Sequence, residues 1–216
     1  MTTRVLIIDD HPLLRRGVMQ LLELENDLEP VGEASDGSEG LQLAQELDPD
    51  LILLDLNMEG MTGVETLRAL RDQGSEACVV VLTVSDSDED ITNSLRAGAN
   101  GYLLKDMEPE ALVAQLQRAA QGEVVISDTL TSSLARALTR DRPTSESNLD
   151  TLTAREREIL RHLARGESNK TIARNLGITE GITEGTTKVH VKNLLKKMNF
   201  RSRVEAAVWA VEKGFR

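Results

Sequence analysis

Five short apolar runs recur through residues 1–125, and each is followed by apolar residues at helical spacing. The runs are Val5–Ile8, Val31–Ala34, Leu51–Leu54, Val79–Leu82 and Gly101–Leu104. Leu13, Leu14, Val18, Leu21 and Leu22 mark one helix face after the first run; Leu112, Val113, Leu116 and Ala119 mark another after the last. Asp36-Gly37 and Asp48-Pro49 punctuate the repeat as turn and stop signals. Near-continuous apolar strands need cover on both faces, and strands that alternate with helices run parallel. The expected fold class is therefore α/β, with a five-stranded doubly wound parallel sheet over residues 1–125.

The polar residues that end these runs are unusual. Asp9 and Asp10 follow the first run, Asp55 the third, Thr83 the fourth and Lys105 the fifth. In an open parallel sheet, residues just beyond the carboxyl ends of neighbouring strands converge in one crevice. Three carboxylates, a hydroxyl and an ammonium at one sheet edge suit a Mg²⁺ site around a phosphorylatable aspartate. Mg²⁺ takes carboxylate, water and phosphate oxygens. Asp10 and Asp55 would supply carboxylates, with Asp9 orienting water or sharing the charge. Thr83 and Lys105 would each engage a phosphoryl oxygen, so that the site works by positioning and charge neutralisation.

The net charge of -11 conceals an asymmetry. Residues 1–140 carry 10 Lys and Arg against 26 Asp and Glu, whereas residues 141–216 carry 15 against 10. An acidic front joined to a basic tail points to two domains, the second with a polyanionic partner. Cys78 is the only cysteine and cannot form an internal disulfide, which suits a reducing cytoplasm. No apolar run approaches the roughly 20 residues of a membrane span. The start, Met-Thr-Thr-Arg and then strand-like residues, leaves no room for a signal peptide. The expectation is a cytoplasmic protein with no membrane partner.

Residues 126–150 read as a short helix, from Ser127 to about Leu138, and a polar interdomain linker containing Pro143. Residues 151–216 carry only helical signals and form a second, smaller all-α domain. Thr153-Ala-Arg-Glu156 has the capping-box pattern, and Ile159, Leu160 and Leu163 continue that helix to Gly166. Asn169–Leu176, Thr186–Met198 and Arg203–Lys213 are the remaining helices.

With these residues in place, residues 1–125 resemble the receiver domain of bacterial two-component response regulators, a flavodoxin-like fold. The resemblance rests on Asp9-Asp10, Asp55, Thr83 and Lys105 in the family's order and spacing. It implies that Asp55 is the phosphoacceptor and a sensor histidine kinase the donor. It further implies that the main-chain carbonyl of Asn57 is a third metal ligand, and that Tyr102 is a switch aromatic that swings inward when Thr83 engages the phosphoryl group. Three positions depart from the family pattern. Glu59 stands where a proline is usual, Asp106 replaces the proline after Lys105, and Val84 replaces a smaller residue after Thr83, which suggests a narrowed site and slower phosphoryl exchange.

The tail segments Leu152–Leu160, Asn169–Ala173 and Thr187–Met198 resemble the LuxR-type helix-turn-helix domain. The whole chain is thus similar to NarL/FixJ-type transcriptional regulators. Leu103–Pro109 and the stretch from Lys196 to Trp209 resemble the nitrate/nitrite-responsive branch. The resemblance implies double-stranded DNA as a partner, release of the tail on phosphorylation, and a phosphorylated homodimer. Lys188, Val189 and Lys192 share one face of the third tail helix, which suits base edges and thymine methyls. Lys196, Lys197, Lys170 and Arg201 would serve phosphates. Val191, Leu194, Leu195 and Met198 would form that helix's buried stripe.

Two rivals come from other classes. A Mg²⁺-dependent aspartyl-phosphate phosphatase would need a second catalytic acid where this chain has Asn57, so the chain is not expected to be an enzyme. A receiver acting through protein contacts alone is suggested by an oddity: Ile178-Thr-Glu-Gly181 repeats at once as Ile182-Thr-Glu-Gly185. The four extra residues either lengthen the third tail helix by one turn, about 6 Å, or bulge out as a loop. Glycine is a poor helix-interior residue, which favours the bulge. Either outcome implies reduced DNA affinity.

Overall fold

The apolar runs alternate sides, and this alternation builds the first domain. Leu6, Ile8, Ile52, Leu54, Val79, Val81 and Tyr102 pack in one buried layer. Val5, Ile7, Leu51, Leu53, Val80, Leu82 and Leu103 pack in the other. Successive strand side chains point to opposite faces, so one run supplies both layers. The structure, a computed structural model, describes residues 2–127, 151–180, 184–200 and 202–215.

Strands β1 (Thr3–Ile8), β2 (Leu28–Ala34), β3 (Leu51–Leu54), β4 (Cys78–Thr83), β5 (Gly101–Leu104) and β6 (Val125–Ile126) form one sheet. The order is β2-β1-β3-β4-β5-β6 and every pairing is parallel. Helices α1 (Pro12–Glu23), α2 (Gly37–Leu47), α3 (Gly63–Asp72), α4 (Asp88–Ala97) and α5 (Pro109–Ala120) make the crossovers. Leu14, Val18, Leu21 and Leu22 of α1 and Leu112, Val113, Leu116 and Ala119 of α5 cover one face, while Leu13, expected with them, is 86% exposed; α2, α3 and α4 cover the other. The doubly wound α/β class holds, but the sheet has six strands rather than five. β6 is two residues long, too short for a periodic signal, and exists through its pairing with β5. The sheet therefore extends one residue past the expected boundary at 125. The helix and linker expected over 126–150 lie, beyond Ser127, outside the described residues.

In the tail, α6 (Ala154–Ala164), α7 (Asn169–Glu180), α8 (Glu184–Met198) and α9 (Arg203–Glu212) surround Ile159, Leu160, Leu163, Ile172, Leu176, Leu194 and Trp209. The expected helices appear, with one correction. Through Glu180 the first copy of the repeat continues α7, past the expected end at Leu176. α8 begins at Glu184, two residues before the expected Thr186, and residues 181–183, where the bulge was expected, lie outside the described ones. Gly177 is carried inside a helix at a cost of about 1 kcal/mol relative to alanine.

The capping box at the start of α6 does more than close a helix. Glu156 is buried, and its carboxylate accepts from the Thr153 N–H (2.8 Å), the Thr153 hydroxyl (3.0 Å) and Lys197 Nζ (2.8 Å). Burial alone would raise its pKa, but the bonds from Lys197 and Thr153 outweigh burial and lower it. Replacing Glu156 with alanine is expected to cost the tail about 1–2 kcal/mol, from the lost half of the capping box and the lost bond to Lys197, whose partly exposed ammonium is resolvated. Urea unfolding of the full chain, followed by the lone Trp209, checks this. The wild-type advantage should be complete above pH 4.5, the ordinary value for the carboxyl, and fade as pH falls through the depressed native value.

Candidate functional site

Ladder hydrogen bonds bring the polar strand ends to one edge. The Asp9 N–H donates to the Ala34 carbonyl (3.1 Å), the Asp55 N–H to that of Ile8 (2.9 Å) and the Lys105 N–H to that of Thr83 (2.9 Å). The order reverses between β1 and β3, the switch point where such sheets open a crevice. The chain after Asp55 turns back tightly enough that a Cβ on Gly63 would lie 2.0 Å from the Asp55 carbonyl oxygen. Only glycine fits at that approach.

Lys105 Nζ lies 2.7 Å from Asp55 Oδ2 and 2.8 Å from Asp9 Oδ2. Burial disfavours its charge, yet the bonds and charges of Asp55 and Asp9 prevail and raise its pKa. Asp9 and Asp55 are buried, and Asp10 lines the rim with its side chain 27% exposed. Asp55 Oδ1 and Asp10 Oδ1 are both buried without a hydrogen-bond donor. Asp10 Oδ1 does lie 2.7 Å from His11 Nδ1, a close approach whose angles do not make a hydrogen bond. Potential ligand atoms of Asp9, Asp10, His11 and Asp55 all lie within 4.8 Å of one another. Buried carboxylate oxygens lacking donors are what a hard cation with oxygen ligands requires, so the residues fit Mg²⁺.

Thr83 Oγ1 accepts from Asn57 Nδ2 and from the Ser85 N–H, each at 3.3 Å. Tyr102 is fully buried, and its hydroxyl donates to the Ser85 carbonyl at 2.9 Å. The ring thus already points inward, and burial raises the phenol pKa. Glu59 is exposed and Val84 is 73% exposed, so Val84 projects into solvent instead of packing over the site.

In the tail, Lys188, Val189, Lys192 and Lys196 are exposed along α8, while Val191, Leu194 and Met198 are buried and Leu195 half-buried. Lys170 is exposed on α7, and Arg201 lies outside the described residues. Two of the expected DNA-contacting cations have protein partners here. Lys197 is held by Glu156, and Lys192 pairs with Glu76 in the connection from α3 to β4. Sequence reasoning passed over Glu76, Ser85 and Asp90. Of these only the last had a local signal, the Ser87-x-x-Asp90 pattern that starts α4.

Residues 5–117 match the response regulator receiver domain family, and residues 150–210 match the luxR family of bacterial regulatory proteins. The chain belongs to the response regulators that join a receiver to a LuxR-type DNA-binding domain: it is a phosphorylation-dependent transcriptional regulator and not an enzyme. More narrowly, it is 55% identical over 205 residues to the nitrate/nitrite response regulator protein NarL of Escherichia coli strain K12, covering 95% of this chain and 93% of that one. A nitrate/nitrite response regulator protein homolog of Haemophilus influenzae is 49% identical, with 97% of each chain covered. These similarities place it in the nitrate/nitrite branch of NarL/FixJ regulators. Among solved structures, the response regulator ChrA of a heme-sensing two-component system is 32% identical with a TM-score of 0.52, covering 100% of this chain and 99% of that one.

Proposed function

We propose that Asp55 takes a phosphoryl group from a phosphohistidine on a sensor kinase in the cytoplasm, and that the modified receiver frees the tail to bind operator DNA as a homodimer. The observation that carries this is the division of labour on Asp55. Lys105 holds Oδ2, while Oδ1 is buried without a donor and points into the acidic crevice. In the transfer the phosphorus–nitrogen bond to the imidazole breaks and a phosphorus–oxygen bond to Asp55 forms. Asp10, Asp55 and the main-chain carbonyl of Asn57 would hold Mg²⁺, with Asp9 acting indirectly. The ion supplies neutralisation of the charge shared by carboxylate and phosphoryl oxygens. Lys105 is placed to pair with one phosphoryl oxygen, and the Thr83 hydroxyl to donate to another.

The closed junction supports the release step. Lys192, on the DNA-reading face, pairs with Glu76 of the receiver. The Glu76–Lys192 pair is more than half exposed at both ends and is worth at most about 1 kcal/mol. Arg203 is buried and donates to the Glu167 carbonyl and Asn169 Oδ1, and burial pulls its pKa down to about 10.

Fluorescence anisotropy with a NarL-type operator duplex tests this. With Mg²⁺ and acetyl phosphate as a small phosphodonor, affinity is expected to rise about tenfold, within the usual range of allosteric coupling. Equal affinity with and without phosphodonor, at full Asp55 modification, would defeat the proposal.

A further inference from the structure

Ser85 occupies a crossing point between the phosphoacceptor edge and α4. Its N–H donates to Thr83 Oγ1 (3.3 Å), its carbonyl accepts from the Tyr102 hydroxyl (2.9 Å), and its own hydroxyl donates to Asp90 Oδ2 (2.5 Å). The last distance falls in the range of a charge-assisted O–H···O⁻ bond. Asp90 sits in the first turn of α4, where a negative charge complements the helix dipole. The Ser87 hydroxyl caps the Asp90 N–H at 3.1 Å, and the Asp90 carbonyl accepts from the buried Ser94 hydroxyl at 2.7 Å. Asp90 is therefore fixed to the helix, and Ser85 is fixed to Asp90.

At ten residues, α4 spans about 15 Å and crosses the domain. Its far end is held equally firmly. Gly98, in the left-handed conformation (φ 110°), closes the helix, and the half-buried Arg71 donates to the Gly98 carbonyl and to Asn100 Oδ1. At that end α4 meets α9 of the tail. Val204, in the first turn of α9, is buried in the same apolar cluster as Ala77, Ala97 and Ala99.

We infer that Ser85 and Asp90 are positioning residues that carry the state of Thr83 along α4 to its contact with the tail. The inference rests on the phosphorylation reading above and adds the route. When the Thr83 hydroxyl turns to a phosphoryl oxygen, the Ser85 N–H loses its acceptor and the segment 84–87 must resettle. Ser85 cannot move without pulling on Asp90, and Asp90 moves with the helix. A rod braced by hydrogen bonds at both ends transmits a shift that a flexible loop would absorb. Tyr102 reports on the same residue through the Ser85 carbonyl, but it does not lie on the route through Asp90.

The chain's single tyrosine makes the two branches separable. The full-length protein carries 3-fluorotyrosine at Tyr102, and wild type, Asp90→Ala, Ser85→Ala and the double variant are compared at matched Asp55 phosphorylation by acetyl phosphate and Mg²⁺. In wild type the fluorine signal should shift on phosphorylation and DNA affinity should rise about tenfold. In Asp90→Ala the fluorine shift should persist while the affinity gain falls to about twofold or less. Ser85→Ala should lose the gain to the same extent, and the double variant should lose no more than either single one, because both remove one bond. An Asp90→Ala protein that keeps its gain, or that loses the tyrosine response together with the gain, overturns the inference. A wild-type protein that is phosphorylated without any gain refutes instead the proposed function on which it stands.

Discussion

An Asp55→Ala chain incubated with acetyl phosphate and Mg²⁺ is expected to form no acyl phosphate, a drop of at least about a thousandfold, because the attacking oxygen itself is gone. Phosphate-affinity electrophoresis reads this directly. The variant should also fail to tighten on operator DNA. Asp9 and Asp10 do not substitute: Asp9 is tied to Lys105 and donated to by the His11 N–H (2.8 Å), and Asp10 sits at the rim. The same variant reports on the metal. A cation that binds only the folded state stabilises it by mass action, by about 2.7 kcal/mol at a hundred times its dissociation constant. Mg²⁺ should therefore raise the urea midpoint of wild type and leave Asp55→Ala nearly unmoved. Without Mg²⁺ the order should invert, because removing one of three crowded carboxylates relieves repulsion in a buried site. A phosphorylated Asp55→Ala protein would place the acceptor elsewhere.

Deleting one copy of the Ile-Thr-Glu-Gly repeat is expected to tighten operator binding by about tenfold or more, about 1.4 kcal/mol per factor of ten. The copies are identical, so removal of either yields the same chain. Ile172 and Leu176 of α7 pack in one cluster with Val191 and Leu194 of α8, which fixes the two helices against each other. The first copy of the repeat is helical through Glu180, so α7 runs one turn, about 6 Å, past its expected end at Leu176. That turn stands beside the N-terminal end of α8, the end that must enter the major groove. Shortening the chain removes the obstruction and leaves every lysine of α8 in place. The slope of log affinity against log salt should hence change little while affinity rises, which separates a steric effect from an electrostatic one. Equal affinity of both forms would mean that the extra turn clears the DNA. Failure of both forms to bind would favour the reading in which the chain signals through protein contacts.

Lys197 and Tyr102 illustrate how far a local pattern reaches. The sequence presents Lys197 as one more cation on a basic helix. The tertiary fold brings it to Glu156, forty-one positions away, where it becomes a strut. The resemblance singles out Tyr102, but the partner of its hydroxyl, the Ser85 carbonyl seventeen positions earlier, comes from the tertiary fold. Asp9, Asp10, Asp55, Thr83 and Lys105 needed no such help. Each is set by the end of its own strand, and parallel strands bring their ends together whatever the loops do.

By itself, then, the sequence determined the parallel α/β class, the meeting of polar residues at the strand ends and the basic helical tail, because these follow from periodicities and strand ends that are local. Only the tertiary structure decided that β6 joins the sheet, that the repeat lengthens α7, that Glu76 takes Lys192, and that Ser85 links Thr83 to α4. Each of those depends on a partner far along the chain, or on whether a helix continues through Gly177. Short elements and single hydrogen bonds carry no period of their own, so their outcome is set by what the rest of the fold places beside them.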